Sequence, residues 1–170
     1  MNAATVNRLQ MVYPELERRL ILAIADAARQ GFTIEIDQGV RTWPEQTILW
    51  QKGRNAYGVI VDHTQVVTHA RAGESYHNYG LAVDFVPFDE HLQPIWDRSF
   101  AGYATFIAIA ESYNLLSGSR WPEPKTDFPH LELTGRFPEN APDTYCKYLF
   151  EQGGFVEVWK EVDLALGITT

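Results

Sequence analysis

In the stretch ESYHNYGLAVDF, residues 74–85, a loop that carries a histidine runs into an alternating apolar segment. Its second half, LAVDFVP at residues 81–87, predicts a strand. Leucine, valine and phenylalanine then share one face, and Ala82 and Asp84 share the other. We expect Pro87 to end this strand.

His77 lies on the loop, seven residues before Asp84. Gly80 permits a tight approach between the loop and the strand, and Ala82 leaves room beside the aspartate for a metal ion. The spacing alone also fits a hydrogen-bonded histidine–aspartate pair or two unrelated surface groups. The stretch is therefore at most half of a metal site.

A second segment, KTDFPHLEL at residues 125–133, supplies further metal-capable side chains. His130 and Glu132 fall on one face of a predicted short strand, and Asp127 precedes them. Two histidines and one aspartate would leave a fourth position open for water, as in catalytic zinc sites. A mononuclear iron site uses similar ligands, and the spacing does not separate the two metals. Asp127 or Glu132 could then act as general base.

The rest of the chain mixes helices and short strands without regular βαβ alternation, which predicts an α+β fold. Its length of 170 residues suits a single domain, residues 1–170. Residues 55–80 are predicted to form a long, partly extended loop. The periodic segments predict helices at 13–31, 42–52, 100–114, 142–152 and 155–166, and a half-buried strand at 32–37.

Charge and cysteine content exclude several classes of protein. The formal net charge of −8 argues against a nucleic-acid partner and against electrostatic attachment to an anionic surface. An anionic substrate must therefore meet local cations. The single cysteine, Cys146, rules out an intramolecular disulfide and a cysteine-based zinc site, and we expect it to be buried.

The first residues lack the charged start and apolar core of a signal peptide, and no apolar stretch is long enough to span a bilayer. We therefore expect synthesis in the cytoplasm and no membrane insertion.

The two segments resemble a known family. Residues 75–84 match S-x-H-x-x-G-x-A-x-D, and residues 127–130 match D-x-x-H. These are motifs of the superfamily of zinc peptidases that contains D-alanyl-D-alanine carboxypeptidases and L-alanyl-D-glutamate peptidases. The stretch GVRTWPEQTILWQKGR, residues 39–54, is similar to a third segment of that family.

This resemblance implies one zinc ion held by His77, Asp84 and His130, with Asp127 as the catalytic base. Glu132 remains a candidate for contact with a metal ligand. The implied fold is a small antiparallel sheet that carries the zinc site, with helices around it, as in D,D-peptidases and Hedgehog domains.

The resemblance also assigns residues that would face the substrate. Arg41 corresponds to the family arginine that binds substrate or stabilises the developing oxyanion. Ser75 and Gln46 are candidate substrate contacts. Trp121 lies where the family often has a tryptophan beside the cleft, with core packing as the alternative.

Members of this superfamily cut the stem peptide of peptidoglycan, and the chain is most similar to the L-alanyl-D-glutamate endopeptidases of phage endolysins. We therefore expect a monomer with no separate wall-binding domain, made in the cytoplasm of a bacterial host, that acts on the cell wall after release by a holin or similar helper. A D-alanyl-D-alanine carboxypeptidase or dipeptidase on the same fold is one alternative. A non-catalytic zinc-containing binding module is another.

Overall fold

A four-stranded antiparallel sheet lies at the centre of the computed structural model, which describes residues 1–123 and 125–169. Its strands are β1 (Thr33–Gln38), β2 (Ala82–Phe88), β3 (Leu116–Ser117) and β4 (His130–Glu132), in the order β1–β2–β4–β3. The helices are α1 (Ala3–Leu9), α2 (Pro14–Arg29), α3 (Trp43–Gln51), α4 (Ala101–Ser112), α5 (Thr144–Gly153) and α6 (Phe155–Leu166). The α+β class that the sequence predicts is confirmed.

The hydrophobic core lies between the sheet and helices α2 and α4. Phe85 of β2 is fully buried, and its ring meets that of Phe106 of α4 edge-on, with centroids 4.7 Å apart. Leu16 and Leu20 of α2 are also fully buried. Burying side chains of this size contributes on the order of 2 kcal/mol each, so this core supports the strand that carries Asp84.

The local signals for helix α3 act as the sequence predicts. Thr42 accepts a hydrogen bond from the backbone N–H of Glu45, and the Glu45 side chain accepts one from the backbone N–H of Thr42. This reciprocal pair fixes where the helix begins. Arg41 is consequently held immediately before the first turn.

The prediction that Pro87 ends β2 is wrong, because the strand continues to Phe88 and Pro87 pairs with Ile34 of β1. On the edge of β2 away from β1, strand β4 pairs only with Ala82–Asp84, so Pro87 has no β4 partner there. A proline is tolerated where no partner strand needs its missing N–H. Its carbonyl accepts a hydrogen bond of 2.8 Å from the N–H of Ile95.

The prediction that β1 is buried on one face only is also wrong. Glu35 is only 5% exposed, because α1, which the periodicity did not reveal, packs over that face. The carboxylate accepts hydrogen bonds from the N–H of Asn2 and from the hydroxyl of Thr5, at the start of α1. An acidic side chain is stabilising at a helix N-terminus, which explains how a glutamate is buried here.

The predicted loop between α3 and β2 contains only short turns, one of which is the 3-10 turn Tyr76–Tyr79. Cys146 is buried, as expected. His63, His69 and His91 are exposed, away from the histidines of the two motifs. Among the described residues, no helix is both long enough and apolar enough to cross a membrane.

Candidate metal centre

Strand register brings the two motif segments together. Asp84 of β2 pairs directly with His130 of β4, so their side chains lie side by side on one face of the sheet. His77 lies in the 3-10 turn, which ends at Gly80 with a φ of +68°. A Cβ at Gly80 would also lie 3.1 Å from the ring of Trp159, so both conformation and space favour glycine.

The donor atoms of His77, Asp84 and His130 lie within 4.8 Å of one another and form what we call the three-ligand cluster. Nε2 of His77 and Nδ1 of His130 each lie 3.3 Å from Oδ1 of Asp84. Both histidines are buried, whereas the Asp84 side chain is 23% exposed. The cluster is therefore compact, and it is open to solvent on the aspartate side.

Hydrogen bonds on the far side of each imidazole fix which nitrogen can bind a metal. Nδ1 of His77 lies 2.8 Å from the carbonyl oxygen of Gly39, and Nε2 of His130 lies 3.1 Å from Oε2 of Glu132. Each of those nitrogens carries the proton when the ring is neutral, so the other nitrogen presents a lone pair towards Asp84. Outer partners of this kind are typical of metal-binding histidines. The residues present therefore fit a divalent metal ion.

Glu132 lies next to His130, one of the three candidate ligands. It is fully buried, and its second carboxylate oxygen accepts a hydrogen bond of 2.9 Å from the backbone N–H of Asn140. Both oxygens are thus engaged away from the open side of the cluster. Asp127 is consequently the better placed of the two candidate bases.

The electrostatics of the cluster favour a bound cation. Burial opposes the charged form of Asp84, but His77 and His130 outweigh it and hold the pKa of Asp84 well below its ordinary value. Burial also lowers the pKa of His130, but hydrogen bonds to Asp84 and Glu132 overcome it and raise that pKa to about 10. Without a metal the cluster retains a proton, which a metal ion would displace on binding.

Asp127 lies beside the cluster in a half-buried position. Burial raises its pKa, and the negative charge of Asp84 raises it further. Its backbone N–H donates to the carbonyl of Gly118 at 2.9 Å, which fixes the turn before β4. Its carboxylate has no hydrogen-bond partner within residues 1–123 and 125–169, so it is available to a water molecule or a substrate. A carboxylate whose pKa is raised is better matched to proton transfer near neutral pH.

Arg41 lies beside Asp84, with its Nη2 3.6 Å from Oδ2 of that residue. Its Nη1 donates to Oε1 of Gln46 at 2.8 Å, and the Gln46 amide donates to the carbonyl of Ala70. Gln46 is fully buried, so its position is behind Arg41. The contacts of Gln46 in this structure hold Arg41 in place. A contact between Gln46 and substrate stays a prediction.

Ser75 and Trp121 border the cluster. Ser75 is half-buried and directly precedes the turn that carries His77, and its side chain does not cap that turn. The half-buried ring of Trp121 lies 4.9 Å from the imidazole of His130, centroid to centroid. Trp121 thus packs against a candidate ligand, and its predicted place beside the substrate cleft stays a prediction.

The sequence analysis missed two residues that organise the site. The carbonyl of Gly39 orients His77, and a backbone group leaves no signal in the residue type. The amide of Asn78 donates to the carbonyl of Arg41 at 2.8 Å and accepts from the N–H of Gly73 at 2.9 Å. For Asn78 a sequence signal was available, because this polar amide lies between the motif residues His77 and Gly80.

Comparison with known proteins agrees with this geometry. The model of the family VanY, described as D-alanyl-D-alanine carboxypeptidase, matches residues 10–117, more than half of the chain. The chain belongs to the VanY family. The family match ends before Asp127 and His130. The register of β2 and β4 pairs His130 with Asp84, which lies within the matched residues.

A curated relative is the peptidoglycan L-alanyl-D-glutamate endopeptidase CwlK of Bacillus subtilis (strain 168). It is 34% identical to this VanY-family chain over 129 residues, which cover 72% of the chain and 73% of CwlK. The predicted superfamily is thereby confirmed.

Two solved structures share the fold. The L-Ala D-Glu endopeptidase ChiX of Serratia marcescens is 21% identical, with a TM-score of 0.57 over 80% of this chain and 90% of ChiX. The LD-carboxypeptidase LdcB is 18% identical, with a TM-score of 0.53 over 88% of this chain and 68% of LdcB. At these identities the likeness concerns the fold, and it confirms the predicted architecture.

Proposed function

We propose that this VanY-family protein is a zinc peptidase that hydrolyses the peptidoglycan stem peptide between L-alanine and D-glutamate. The observation that carries the proposal is the three-ligand cluster with Asp127 beside it, on a chain 34% identical to an L-alanyl-D-glutamate endopeptidase. His77, Asp84 and His130 would hold the ion. When bound, zinc would supply a Lewis acid that lowers the pKa of a water molecule towards neutrality.

The chain's own residues account for the proton transfers. Asp127 accepts a proton from the attacking water as the water oxygen bonds to the peptide carbonyl carbon. It then returns that proton to the peptide nitrogen as the carbon–nitrogen bond breaks. The same carboxylate thus serves as base and then as acid, and its raised pKa suits both steps.

Arg41 supplies a fixed positive charge to the oxyanion that develops on the carbonyl oxygen. Its contacts with Asp84 and Gln46 hold the guanidinium in place before substrate binds. Such preorganised donors stabilise the transition state because they do not have to reorient during the reaction.

The second candidate function is D-alanyl-D-alanine carboxypeptidase activity, which the description of the matched family favours. It would use the same ligands and the same base, so the cluster does not separate the two activities. A non-catalytic binding module is less well supported, because a base with a raised pKa is present.

Digestion of purified muropeptides, followed by mass spectrometry, tests the proposal. We expect products that begin with an N-terminal D-glutamate, and none with the variant Asp127→Asn. Loss of only a terminal D-alanine would instead establish the carboxypeptidase. Zinc binding with no cleavage of any muropeptide would establish the binding module.

A further inference from the structure

We propose that Arg98 binds the free carboxylate of the D-glutamate that follows the scissile bond, an inference that rests on the proposed function. Arg98 lies in the loop between β2 and α4, outside every motif considered above. It would set the preference of the site for an acidic residue at that position.

A cation at this position would suit the chemistry of the substrate. The glutamate that supplies the scissile nitrogen has two carboxyl groups, and at most one of them continues the peptide. At least one negative charge therefore enters a site that already contains the carboxylates of Asp84, Asp127 and Glu132. The protein as a whole carries a net charge of −8, so its overall field does not attract an anion.

Arg98 places a positive charge next to the candidate base. Its guanidinium carbon lies 5.8 Å from the ring centroid of Phe128, the residue that directly follows Asp127. The arginine is close enough for its charge to act on Asp127, where it partly offsets the rise in pKa that burial and Asp84 cause. A carboxylate bound by Arg98 would thus lie near Asp127, the group that returns a proton to the leaving nitrogen.

The guanidinium of Arg98 is free to bind a substrate. Its side chain is exposed, and no carboxylate in the described part of the chain forms an ion pair with it. The other arginines near the cleft are engaged: Arg41 contacts Asp84, and Arg120 pairs with both carboxylate oxygens of Glu111 at 2.6 and 2.7 Å. A planar guanidinium suits a carboxylate because it can donate two parallel hydrogen bonds.

The loop holds Arg98 in a defined position. The N–H of Ile95 donates to the carbonyl of Pro87 at 2.8 Å, and the hydroxyl of Tyr103 donates to the carbonyl of Ile95 at 3.1 Å. Directly beside the arginine, Asp97 accepts hydrogen bonds from the backbone and the hydroxyl of Ser99. A preformed loop lowers the entropic cost of binding the substrate.

The test compares two synthetic peptides that contain the L-Ala–D-Glu bond, one with the free glutamate carboxylate and one with that carboxylate as a carboxamide. We expect the wild-type enzyme to prefer the acid in kcat/KM by about 10- to 100-fold, the range for a charge-assisted contact. Arg98→Gln should abolish this preference, so that kcat/KM for the acid falls to about that for the amide measured with the same variant. Arg98→Lys should restore part of the preference.

Lys125→Gln is the matched control, because it removes one exposed positive charge two residues before Asp127. It should keep the wild-type preference. If Arg98→Gln slows both peptides equally, or neither, the role of Arg98 is refuted while the cleavage specificity stands. A wild-type enzyme that cuts neither peptide between alanine and glutamate would refute the proposed function, and the assignment of Arg98 with it.

Discussion

The carboxylate of Glu132 lies 3.1 Å from Nε2 of His130, on the side of the imidazole that faces away from the cluster. The glutamate is fully buried, and its other oxygen accepts a backbone hydrogen bond. It therefore fixes both the orientation and the protonated nitrogen of His130 without facing the open side of the site. Such a residue should affect metal affinity more than chemistry.

Replacing Glu132 with alanine should weaken zinc binding by about 10- to 100-fold, because His130 loses its outer partner. Glu132→Gln should have a smaller effect, since the amide oxygen can still accept the imidazole proton. Competition with a chromophoric chelator measures the dissociation constants. The control is Glu157→Gln, on the exposed pair with Lys160; zinc affinity equal to that of this control would contradict the role of Glu132.

Asp127→Asn should retain zinc while lowering kcat by about 100- to 10,000-fold, the usual range for loss of a general acid–base group. The reason is that Asp127 lies beside the three ligands and is not one of them. Elemental analysis and single-substrate kinetics give the two readouts. An unchanged kcat would mean that another residue is the base.

The pH dependence of stability should report on Asp127 in the metal-free protein. Because its pKa is raised in the folded state, folding favours its protonated form. The wild type should lose stability relative to Asp127→Asn as the pH rises above about 4, the ordinary pKa of an aspartate. Urea unfolding of both proteins across this range measures the difference. If the stability of the wild type relative to Asp127→Asn instead increased as the pH rises, the pKa of Asp127 would be lowered in the folded state.

Gly80→Ala should destabilise the protein by more than Gly31→Ala does. Both glycines have positive φ, +68° and +85°, so each alanine costs about 1 kcal/mol in backbone strain. Only at Gly80 would the new methyl group meet a neighbour, the ring of Trp159 at 3.1 Å. Denaturant unfolding compares the two variants. Equal decreases in the free energy of unfolding would mean that the ring of Trp159 moves aside without an energetic penalty.

Removal of metal should abolish hydrolysis and lower the melting temperature. A ligand that binds only the folded state stabilises it in proportion to the logarithm of its concentration over its dissociation constant. Calorimetry with and without chelator, and elemental analysis of the purified protein, test this and also distinguish zinc from iron. Full activity with no metal detected would overturn the metal site.

Local sequence signals predicted the elements whose positions depend on residues close together in the sequence. The alternation around Asp84 predicted β2, and the capping pair of Thr42 and Glu45 predicted the start of α3. In contrast, His130 lies 46 residues beyond Asp84, so spacing could not predict their pairing. The family motifs linked them, and the strand register shows how they meet.

The remaining errors concern long-range packing. Glu35 looked like a solvent-facing residue because its burial depends on α1, which is only seven residues long and short for a periodic signal. Pro87 looked like a strand end because β2 can include a proline only beyond the residues that pair with β4. In both cases the deciding partner is distant in sequence.

The short pairing of β2 with β4 has a consequence for folding. Only three residue pairs define its register, and a slip of one residue would turn Leu131 towards Asp84 in place of His130. A chain misaligned in this way lacks one ligand, so its affinity for the ion falls. Metal binding would therefore favour the correctly aligned sheet, so the proposed site would contribute to correct assembly as well as to catalysis.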